Sequence, residues 1–317
     1  MPYSCLELCA GAGGQALGFE RAGFDHVALV ELDPDACATL RLNRQDWNVI
    51  GADVRAAALD SYSGVDVIAA GVPCPPFSIA GKQLGADDDR DLFPTVARLA
   101  RILNPRAIVF ENVRGFVSKR FQSYRRGLDR KLKGYVVQWK LLNAADFDVP
   151  QSRLRAVGVA LRPEDLFFFH WPEGHRTQKT VGSELGPLMM ERGWLRAPEW
   201  ARQANRIAPT IVGGSHRHGG PDLGPTRARA IWRTLGVDGT GLADAAPNAD
   251  FVGLPKLTVS MASVIQGFPP DWKICGRKTA AYRQVGNALP PPVAHAVASA
   301  LKNAFAAADD FSVSRAS

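Results

Sequence analysis

The alternation of short apolar strands with helices is the feature that most limits how this chain can fold. Strand patterns occur at residues 5–8, 27–31, 65–70 and 107–110, and helical patterns at residues 15–22, from residue 33, and at 92–103. This alternation predicts a mostly parallel, doubly wound α/β sheet of the Rossmann-like class. In such a sheet the ligand binds beyond the carboxyl ends of the strands.

Residues that can carry chemistry follow the predicted strands. Gly11, Glu31, Asp53, Cys74 and Glu111 each lie at or just after a strand end. Because carboxyl ends of parallel strands meet at one edge of a sheet, we expect these residues to converge on one site.

The pattern changes after residue 163, where prolines interrupt any regular period. A helix is expected at 226–235, and a last helix at 291–307 has one apolar face that should return to the first domain. We therefore predict a catalytic domain at 1–168, completed by 280–310, and a smaller, loop-rich domain at 169–279.

Charge and cysteine usage narrow the function classes. The 317 residues carry a formal net charge of +7, and residues 170–280 hold 14 Lys/Arg against 9 Asp/Glu, which favours a polyanionic partner over an ordinary solvated basic face. The five cysteines form no Cys-x-x-Cys pair, so we expect neither disulfides nor a metal site, and a reducing, cytoplasmic location. We also expect no signal peptide, and no apolar run is long enough to span a membrane.

Cys74 lies in a rigid loop, Pro73-Cys74-Pro75-Pro76, at a strand end. Proline fixes φ and removes backbone donors, so the thiol is held in place as a nucleophile would be. The alternative for an isolated cysteine is a small buried residue.

The loop from Gly11 to Ala16 matches a Gly-x-Gly-x-x-Ala fingerprint, with Glu31 near the usual place of a ribose-binding acid. Taken alone, this loop fits NAD as well as S-adenosylmethionine, because either needs close backbone approach and a carboxylate for a diol.

Seven motifs in a fixed order resemble those of the DNA cytosine carbon-5 methyltransferase family, specifically its bacterial restriction-modification type. They are Leu8-Cys9-Ala10-Gly11-Ala12-Gly13-Gly14, the acids Glu31 and Asp53, Pro73-Cys74, Glu111-Asn112-Val113, Gln151-Ser152-Arg153-Leu154-Arg155, Gln266-Gly267-Phe268-Pro269 and Gln284-Val285-Gly286-Asn287. The resemblance covers residues 3–300 apart from a variable stretch at about 172–255.

The resemblance implies methyl transfer from S-adenosylmethionine to carbon-5 of a flipped-out cytosine in double-stranded DNA. Cys74 is implied to add to carbon-6 of the ring and Glu111 to hold a proton at ring nitrogen-3. Arg155, beside Arg153 in the catalytic set, is implied to hold the carbonyl oxygen of the base and to lower the pKa of the thiol.

Residues implied to bind S-adenosylmethionine are Gly11, Gly13, Gly14, Glu31, Asp53, Leu92 and Asn287. Three positions depart from the family pattern, one of them Ser260, where the family usually has an arginine. Cys9 replaces a phenylalanine of the cofactor loop, so packing must come from elsewhere, with Phe19 as a candidate, and Asp91 replaces a glycine before the Leu92-Phe93 pair.

Residues implied to contact DNA are Ser78, Thr210, Arg217, Arg227 and Arg229. Arginine suits guanine edges and phosphates alike. We expect a monomeric modification enzyme whose cognate restriction endonuclease is encoded separately. The tRNA-methylating branch of the same family and a catalytically silent DNA-binding homologue are the alternatives.

Overall fold

The computed structural model describes residues 2–73, 91–213 and 220–316. Within this part of the chain, one seven-stranded sheet forms the centre of the fold, in the order β3-β2-β1-β4-β5-β7-β6. The strands are β1 (Tyr3–Leu8), β2 (Phe24–Glu31), β3 (Val49–Gly51), β4 (Val67–Ala70), β5 (Ala107–Val113), β6 (Val136–Asn143) and β7 (Leu154–Leu161). Strands β1 to β5 pair in parallel, whereas β7 runs antiparallel to both β5 and β6. The mostly parallel sheet predicted from the sequence is confirmed.

Eleven α-helices accompany the sheet in the described ranges. They are α1 (Gly14–Ala22), α2 (Pro34–Asn43), α3 (Phe93–Leu103), α4 (Gln122–Lys131), α5 (Pro163–Leu166), α6 (Val181–Met190), α7 (Ala197–Gln203), α8 (Thr226–Thr234), α9 (Val259–Ile265), α10 (Lys278–Asn287) and α11 (Pro291–Ala316). None of them is long and apolar enough to cross a membrane. The four cysteines among these residues are free thiols.

Helices cover both faces of the sheet, as a doubly wound fold requires. On one face, Leu6 and Phe110 pack with Phe93 of α3 and Leu128 of α4. On the other face, strand residues pack with α1 and α11 through Phe19, Val293, Val297, Leu301 and Phe305. The predicted apolar face of the last helix therefore does return to the sheet.

Two elements are longer than the sequence predicts. The strand expected at 107–110 runs on to Val113, because β7 continues its antiparallel pairing as far as Val113 opposite Arg155. Glu111 consequently lies inside β5 instead of just after it. The last helix also runs nine residues beyond the predicted end at 307, to Ala316.

The helix start expected at Asp33-Pro34 is confirmed. Asp33 is the N-cap of α2, and its carboxylate accepts hydrogen bonds from the backbone N–H groups of Asp35 and Ala36 at 2.9 and 3.3 Å.

A separate apolar cluster lies within residues 181–285. It includes the buried tryptophans Trp194, Trp200 and Trp232, together with Tyr282 of α10. These indoles fill a core, as their bulk suggests. This part of the chain thus has a core of its own, distinct from the two clusters that flank the sheet.

The contact between α1 and α11 depends on a glycine. A Cβ built on Gly18 would lie 2.4 Å from Ala294 Cβ and 2.7 Å from the Pro291 carbonyl oxygen. The two helices approach so closely that no larger residue fits without moving one of them.

We expect Gly18→Ala to lower the free energy of unfolding by about 1–3 kcal/mol, the usual cost of overpacking. Gly127→Ala is the matched control, since a Cβ there, inside α4, would meet only the end of Arg130 at 3.8 Å. It should be neutral or stabilising by up to about 1 kcal/mol. Urea unfolding of both variants measures the difference, and equal stabilities would refute the tight α1–α11 contact.

Candidate active site at the carboxyl edge of the sheet

The glycine loop between β1 and α1 provides an open surface. Gly11 and Gly13 have positive φ values of 55° and 81°, and Gly13 is the N-cap of α1. A Cβ on Gly11 would meet no atom within 4 Å, whereas one on Gly13 would lie 2.8 Å from Leu40. Gly11 therefore leaves room for a ligand above the loop, while Gly13 permits close packing below it.

Gly14 holds the loop against the end of the chain. A Cβ there would lie only 2.2 Å from the Leu289 carbonyl oxygen. The segment that follows α10 thus crosses the start of α1, which brings the C-terminal end of α10 and Asn287 to the edge of the sheet where the loop lies.

Glu31 ends β2 and is bound to the same loop. Its Oε2 accepts the Gly11 N–H at 2.7 Å, and its Oε1 accepts the N–H groups of Leu32 and Asp33 at 2.8 Å each. Three backbone donors fix this carboxylate beside the open face of the loop. The ligand-binding role that the sequence predicts for Glu31 stays a prediction.

Asp53 follows β3 by two residues and lies beside Arg55. The Arg55 guanidinium and backbone N–H both donate to the carboxylate, with Arg55 Nη2 2.5 Å from Asp53 Oδ2. These hydrogen bonds lower the pKa of Asp53, so the side chain is an anion at neutral pH.

Three neighbouring positions have different surroundings. Leu92 is buried and directly precedes α3. Cys9 has a positive φ of 57° and is partly buried at the end of β1. Phe19 does not replace the phenylalanine that Cys9 lacks, because its ring is fully buried under α11 beside Phe24. That suggestion from the sequence was wrong.

Glu111 is a buried carboxyl group paired with an arginine. It is 5% exposed, and Arg155 Nε lies 2.9 Å from its Oε1. Burial raises the pKa of Glu111 above its usual range, while the charges of Arg155 and Arg153 oppose that shift. A carboxyl group in this environment can hold a proton at a pH where an exposed glutamate has lost it.

Asn112 connects this pair to the chain that leads into the Pro73-Cys74 loop. Its Nδ2 donates to the Val72 carbonyl oxygen at 3.3 Å, and its Oδ1 accepts the Val113 N–H at 2.9 Å. Cys74 itself lies outside the described residues. The chain two residues before it is therefore anchored beside Glu111, a role for Asn112 that the sequence analysis did not assign.

Asp91 has a structural task of its own. Its Oδ1 accepts the Phe93 N–H at 3.0 Å, at the start of α3, and its Oδ2 accepts the Tyr124 hydroxyl at 2.6 Å. The residue that departs from the family glycine thus holds the start of α3 to α4.

Arg153 is fully buried, and its guanidinium donates to three backbone carbonyl oxygens. These belong to Ile211, Gly286 and Ala288, at 2.7, 2.7 and 3.0 Å. The contacts give Arg153 a structural task, whereas Arg155 is the arginine that contacts the buried acid. A direct catalytic role for Arg153 stays a prediction.

Three of the five residues predicted to contact DNA lie in the part of the chain that the structure describes. Thr210 donates from its hydroxyl to the Ser152 carbonyl oxygen at 2.6 Å, next to the arginine pair. Arg227 and Arg229 lie on α8, where Arg227 is exposed and Arg229 is half-buried. Ser78 and Arg217 lie outside the described residues.

Sequence reasoning missed the roles of two buried glutamines. Gln151 Nε2 donates to Gln266 Oε1 at 2.8 Å, and Gln266 Nε2 donates to the Ala288 carbonyl oxygen at 2.5 Å. Each glutamine opens one of the quoted motifs, and that position was the available signal.

A seven-stranded, mostly parallel sheet with a glycine loop and a fixed carboxylate at its carboxyl edge is the arrangement that α/β enzymes use for nucleotide-like cofactors. The family model for C-5 cytosine-specific DNA methylase matches residues 3–215 and 240–303. The chain belongs to the C-5 cytosine-specific DNA methylase family.

The chain is also similar to curated relatives and to solved structures. It is 53% identical over 307 residues to the Type II methyltransferase M.NaeI of Lentzea aerocolonigenes, covering 94% of this chain and 74% of that protein. It is 51% identical over 302 residues to M.NgoMIV of Neisseria gonorrhoeae, covering 94% and 96%. The methyltransferase EhMeth of Entamoeba histolytica shares the fold, with a TM-score of 0.66 at 15% identity over 98% and 99% of the two chains.

The Glu111 environment predicts a specific pH dependence of stability. Because its pKa is raised in the folded protein, the contribution of Glu111 to stability is greatest below the unfolded-state pKa and falls as pH rises through the folded-state pKa. We expect wild-type stability, relative to Glu111→Gln, to decline as pH rises above the ordinary glutamate pKa of about 4.3. Urea unfolding of both proteins over a series of pH values upward from that point measures it. An increase with pH would show that Arg155 outweighs burial.

Proposed function

We propose that this protein transfers a methyl group from S-adenosylmethionine to carbon-5 of a flipped-out cytosine in a specific double-stranded DNA sequence. The buried Glu111–Arg155 pair beside the chain that leads to Cys74 is the observation that carries the proposal. Relatives named as Type II methyltransferases support a place as the modification enzyme of a restriction-modification system. Their names give no support to the two alternatives, a tRNA-methylating enzyme and a catalytically silent DNA-binding homologue. A separately encoded endonuclease and a monomeric enzyme complete the proposal.

The chemistry needs a nucleophile because carbon-5 of cytosine does not attack a sulfonium methyl group unaided. Cys74 forms a bond to carbon-6, and the electron pair of the carbon-5–carbon-6 bond becomes available at carbon-5. Carbon-5 then takes the methyl group, loses its proton, and the Cys74–carbon-6 bond breaks to restore the ring. No described side chain is assigned as the base for that proton.

Glu111 and Arg155 serve the addition step. The proton that Glu111 holds in its buried setting can be shared with ring nitrogen-3, which balances the charge that thiolate addition places on the ring. The Arg155 guanidinium, fixed on Glu111, can donate to the carbonyl oxygen of the base. Their contact at 2.9 Å keeps donor and acid at one place.

The described residues fit S-adenosylmethionine, which supplies the methyl group when bound. The space above Gly11 admits close approach of the ligand, and Glu31 is fixed beside it for a ribose diol. Gly13, Gly14, Asp53, Leu92 and Asn287 complete the proposed cofactor set.

Division into two domains is part of the proposal. Residues 1–168 with 280–310 would carry chemistry, and 169–279 would read the DNA target. The separate apolar cluster within 181–285 supports this division. So does the gap in the family match at 216–239, which contains Arg217, Arg227 and Arg229.

We expect Cys74 to form a covalent adduct. A duplex with 5-fluorocytosine at the target should become attached to the enzyme when S-adenosylmethionine is present, because fluorine cannot leave carbon-5 as a proton does. Denaturing gel electrophoresis detects the product. Cys74→Ala should give neither adduct nor turnover, while Cys37→Ala, a cysteine buried in α2, is the control. Normal turnover by Cys74→Ala would refute the mechanism.

We expect Gly11→Ala to weaken S-adenosylmethionine binding by about tenfold or more, because the added methyl group occupies the space proposed for the ligand. Gly64→Ala is the matched control. Gly64 also has a positive φ, 86°, and open space around it. It lies before the amino end of β4, whereas the site lies at the carboxyl end of that strand. Calorimetric titration compares the two, and an equal loss of affinity would indicate backbone strain alone.

We expect Arg227→Ala to weaken binding to all duplexes alike and to reduce the salt-dependence slope by about one, as loss of one phosphate contact does. Arg202→Ala removes an exposed arginine from α7 and is the control. A base contact would instead relax one position of the target by about 1–3 kcal/mol, which is the effect to look for in Arg229→Ala. Unchanged binding by both α8 variants would contradict the assignment of this helix to DNA.

A further inference from the structure

The backbone of Ile211 is held from both sides by side chains of the segment before β7. Gln151 Oε1 accepts the Ile211 N–H at 2.9 Å, and Arg153 Nη1 donates to the Ile211 carbonyl oxygen at 2.7 Å. Thr210 adds a bond to the Ser152 carbonyl oxygen. We refer to Gln151 and Arg153 together as the 151–153 clamp. The clamp fixes residues 210–211, which belong to the proposed DNA-reading segment at 169–279, to the start of β7.

The opposite side of the clamp holds the end of α10. Arg153 Nη2 donates to the carbonyl oxygens of Gly286 and Ala288. Gln151 reaches the same place indirectly, because it donates to Gln266, which in turn donates to Ala288. One guanidinium therefore joins Ile211 to the residues on each side of Asn287, a residue of the proposed cofactor set.

A direct backbone contact reinforces this connection. A Cβ on Gly286 would lie 2.3 Å from the Gly213 nitrogen, and one on Gly213 would lie 2.7 Å from Asn287 Oδ1. Gly213 comes just before residues 214–219, which include Arg217. The DNA-reading segment thus contacts Asn287 at the point where the chain leaves the clamp.

The clamp also adjoins the catalytic pair. Arg155 is two residues from Arg153, pairs with Val113 in the sheet, and contacts Glu111 at 2.9 Å. Arg153 directly precedes β7, and Arg155 is the second residue of that strand. A shift of Ile211 that displaces the backbone of Arg153 would therefore pass along two residues of chain to Arg155 and its contact with Glu111.

We propose that Gln151 and Arg153 are positioning residues through which recognition of the DNA target sets the rate of methyl transfer. The inference rests on the proposed function and deepens it. On this proposal the enzyme distinguishes its target from a near-target sequence in two ways. It binds the target more tightly, and it methylates the bound target faster than the bound near-target. The clamp transmits this discrimination because the same two side chains hold the DNA-reading segment and the neighbours of Asn287, and because both residues belong to the chain that leads into β7 and Arg155.

The chemistry of the Arg153 guanidinium favours a positioning role over a role in holding the two segments together only. A fully buried guanidinium carries a large desolvation cost that apolar packing would avoid, and its planar donors fix direction as well as distance. Three carbonyl partners from two separate segments make its geometry sensitive to both.

The test compares Arg153→Lys and Gln151→Met with the matched control Arg162→Lys. Arg162 follows the other end of β7 and also donates to backbone carbonyl oxygens, those of Asn104 and Pro105. The target is first mapped for the wild type by methylation sequencing. Single-turnover rates are then measured at saturating enzyme on that duplex and on one with a single base pair changed, with thermal melting as a check of folding.

We expect the rate on the target duplex, divided by the rate on the altered duplex, to fall by about tenfold in each clamp variant. Such a change is within the usual range of coupling between sites, about 5–150-fold. The Arg162→Lys ratio should equal that of the wild type. If Arg153→Lys does not fold, Gln151→Met alone decides, since it keeps the guanidinium. A ratio unchanged in the folded clamp variants would refute the coupling. A wild type that methylates no duplex would instead refute the proposed function.

Discussion

The antiparallel pairing of β7 with β5 is the constraint on which the site depends. Parallel strands bring only their carboxyl ends to the ligand edge of a sheet. Because β7 runs the opposite way, its first residues reach that edge as well, and Arg155 is set opposite Val113 within reach of Glu111. The acid and the arginine are about forty residues apart in the chain. Strand register, with no loop conformation involved, brings them together, and a strand holds its side chains more rigidly than a loop does.

Two buried ionisable groups at this edge, Glu111 and Arg153, have different surroundings. Glu111 is desolvated, which raises its pKa, and Arg155 opposes the shift, so burial and pairing together set how readily the acid holds its proton. Arg153 cannot lose its proton in a protein, so its burial must be compensated by acceptors. Three backbone carbonyl oxygens supply them. Glu111 thus holds its proton more readily than an exposed glutamate does, whereas Arg153 fixes three backbone carbonyl groups in place. The sequence presents Arg153 and Arg155 as an equivalent pair, but only Arg155 contacts the acid.

Much of the frame could be predicted because local chemistry specifies it. The Asp33 cap, the positive-φ glycines of the loop and the apolar strands each depend on residues close in sequence. The extension of β5 through Glu111 could not be predicted locally, since it depends on pairing with a strand more than forty residues later. The task of Arg153 was hidden for the same reason, because its partners lie at 211, 286 and 288.

Asp91 departs from the family pattern, which has a glycine at this position. Its carboxylate accepts hydrogen bonds from the Phe93 N–H in the first turn of α3 and from the Tyr124 hydroxyl. An aspartate just before a helix is a good acceptor for its free N–H groups, so this position has a local physical reason that comparison with a pattern does not reveal.

Close backbone approach at the segment 286–289 connects the two proposed functions of the molecule. Gly14 meets Leu289 there, and Gly213 meets Gly286, each at a distance that excludes any side chain. The start of α1, which faces the proposed cofactor, and the DNA-reading segment therefore rest against the same few residues. Protein interiors are packed too tightly for one of these backbones to move alone. A shift imposed on either side would be shared by Asn287, which lies between the two contacts. The proposed cofactor binding and the proposed DNA reading would therefore act on a common element, although Gly14 and Gly213 are nearly two hundred positions apart.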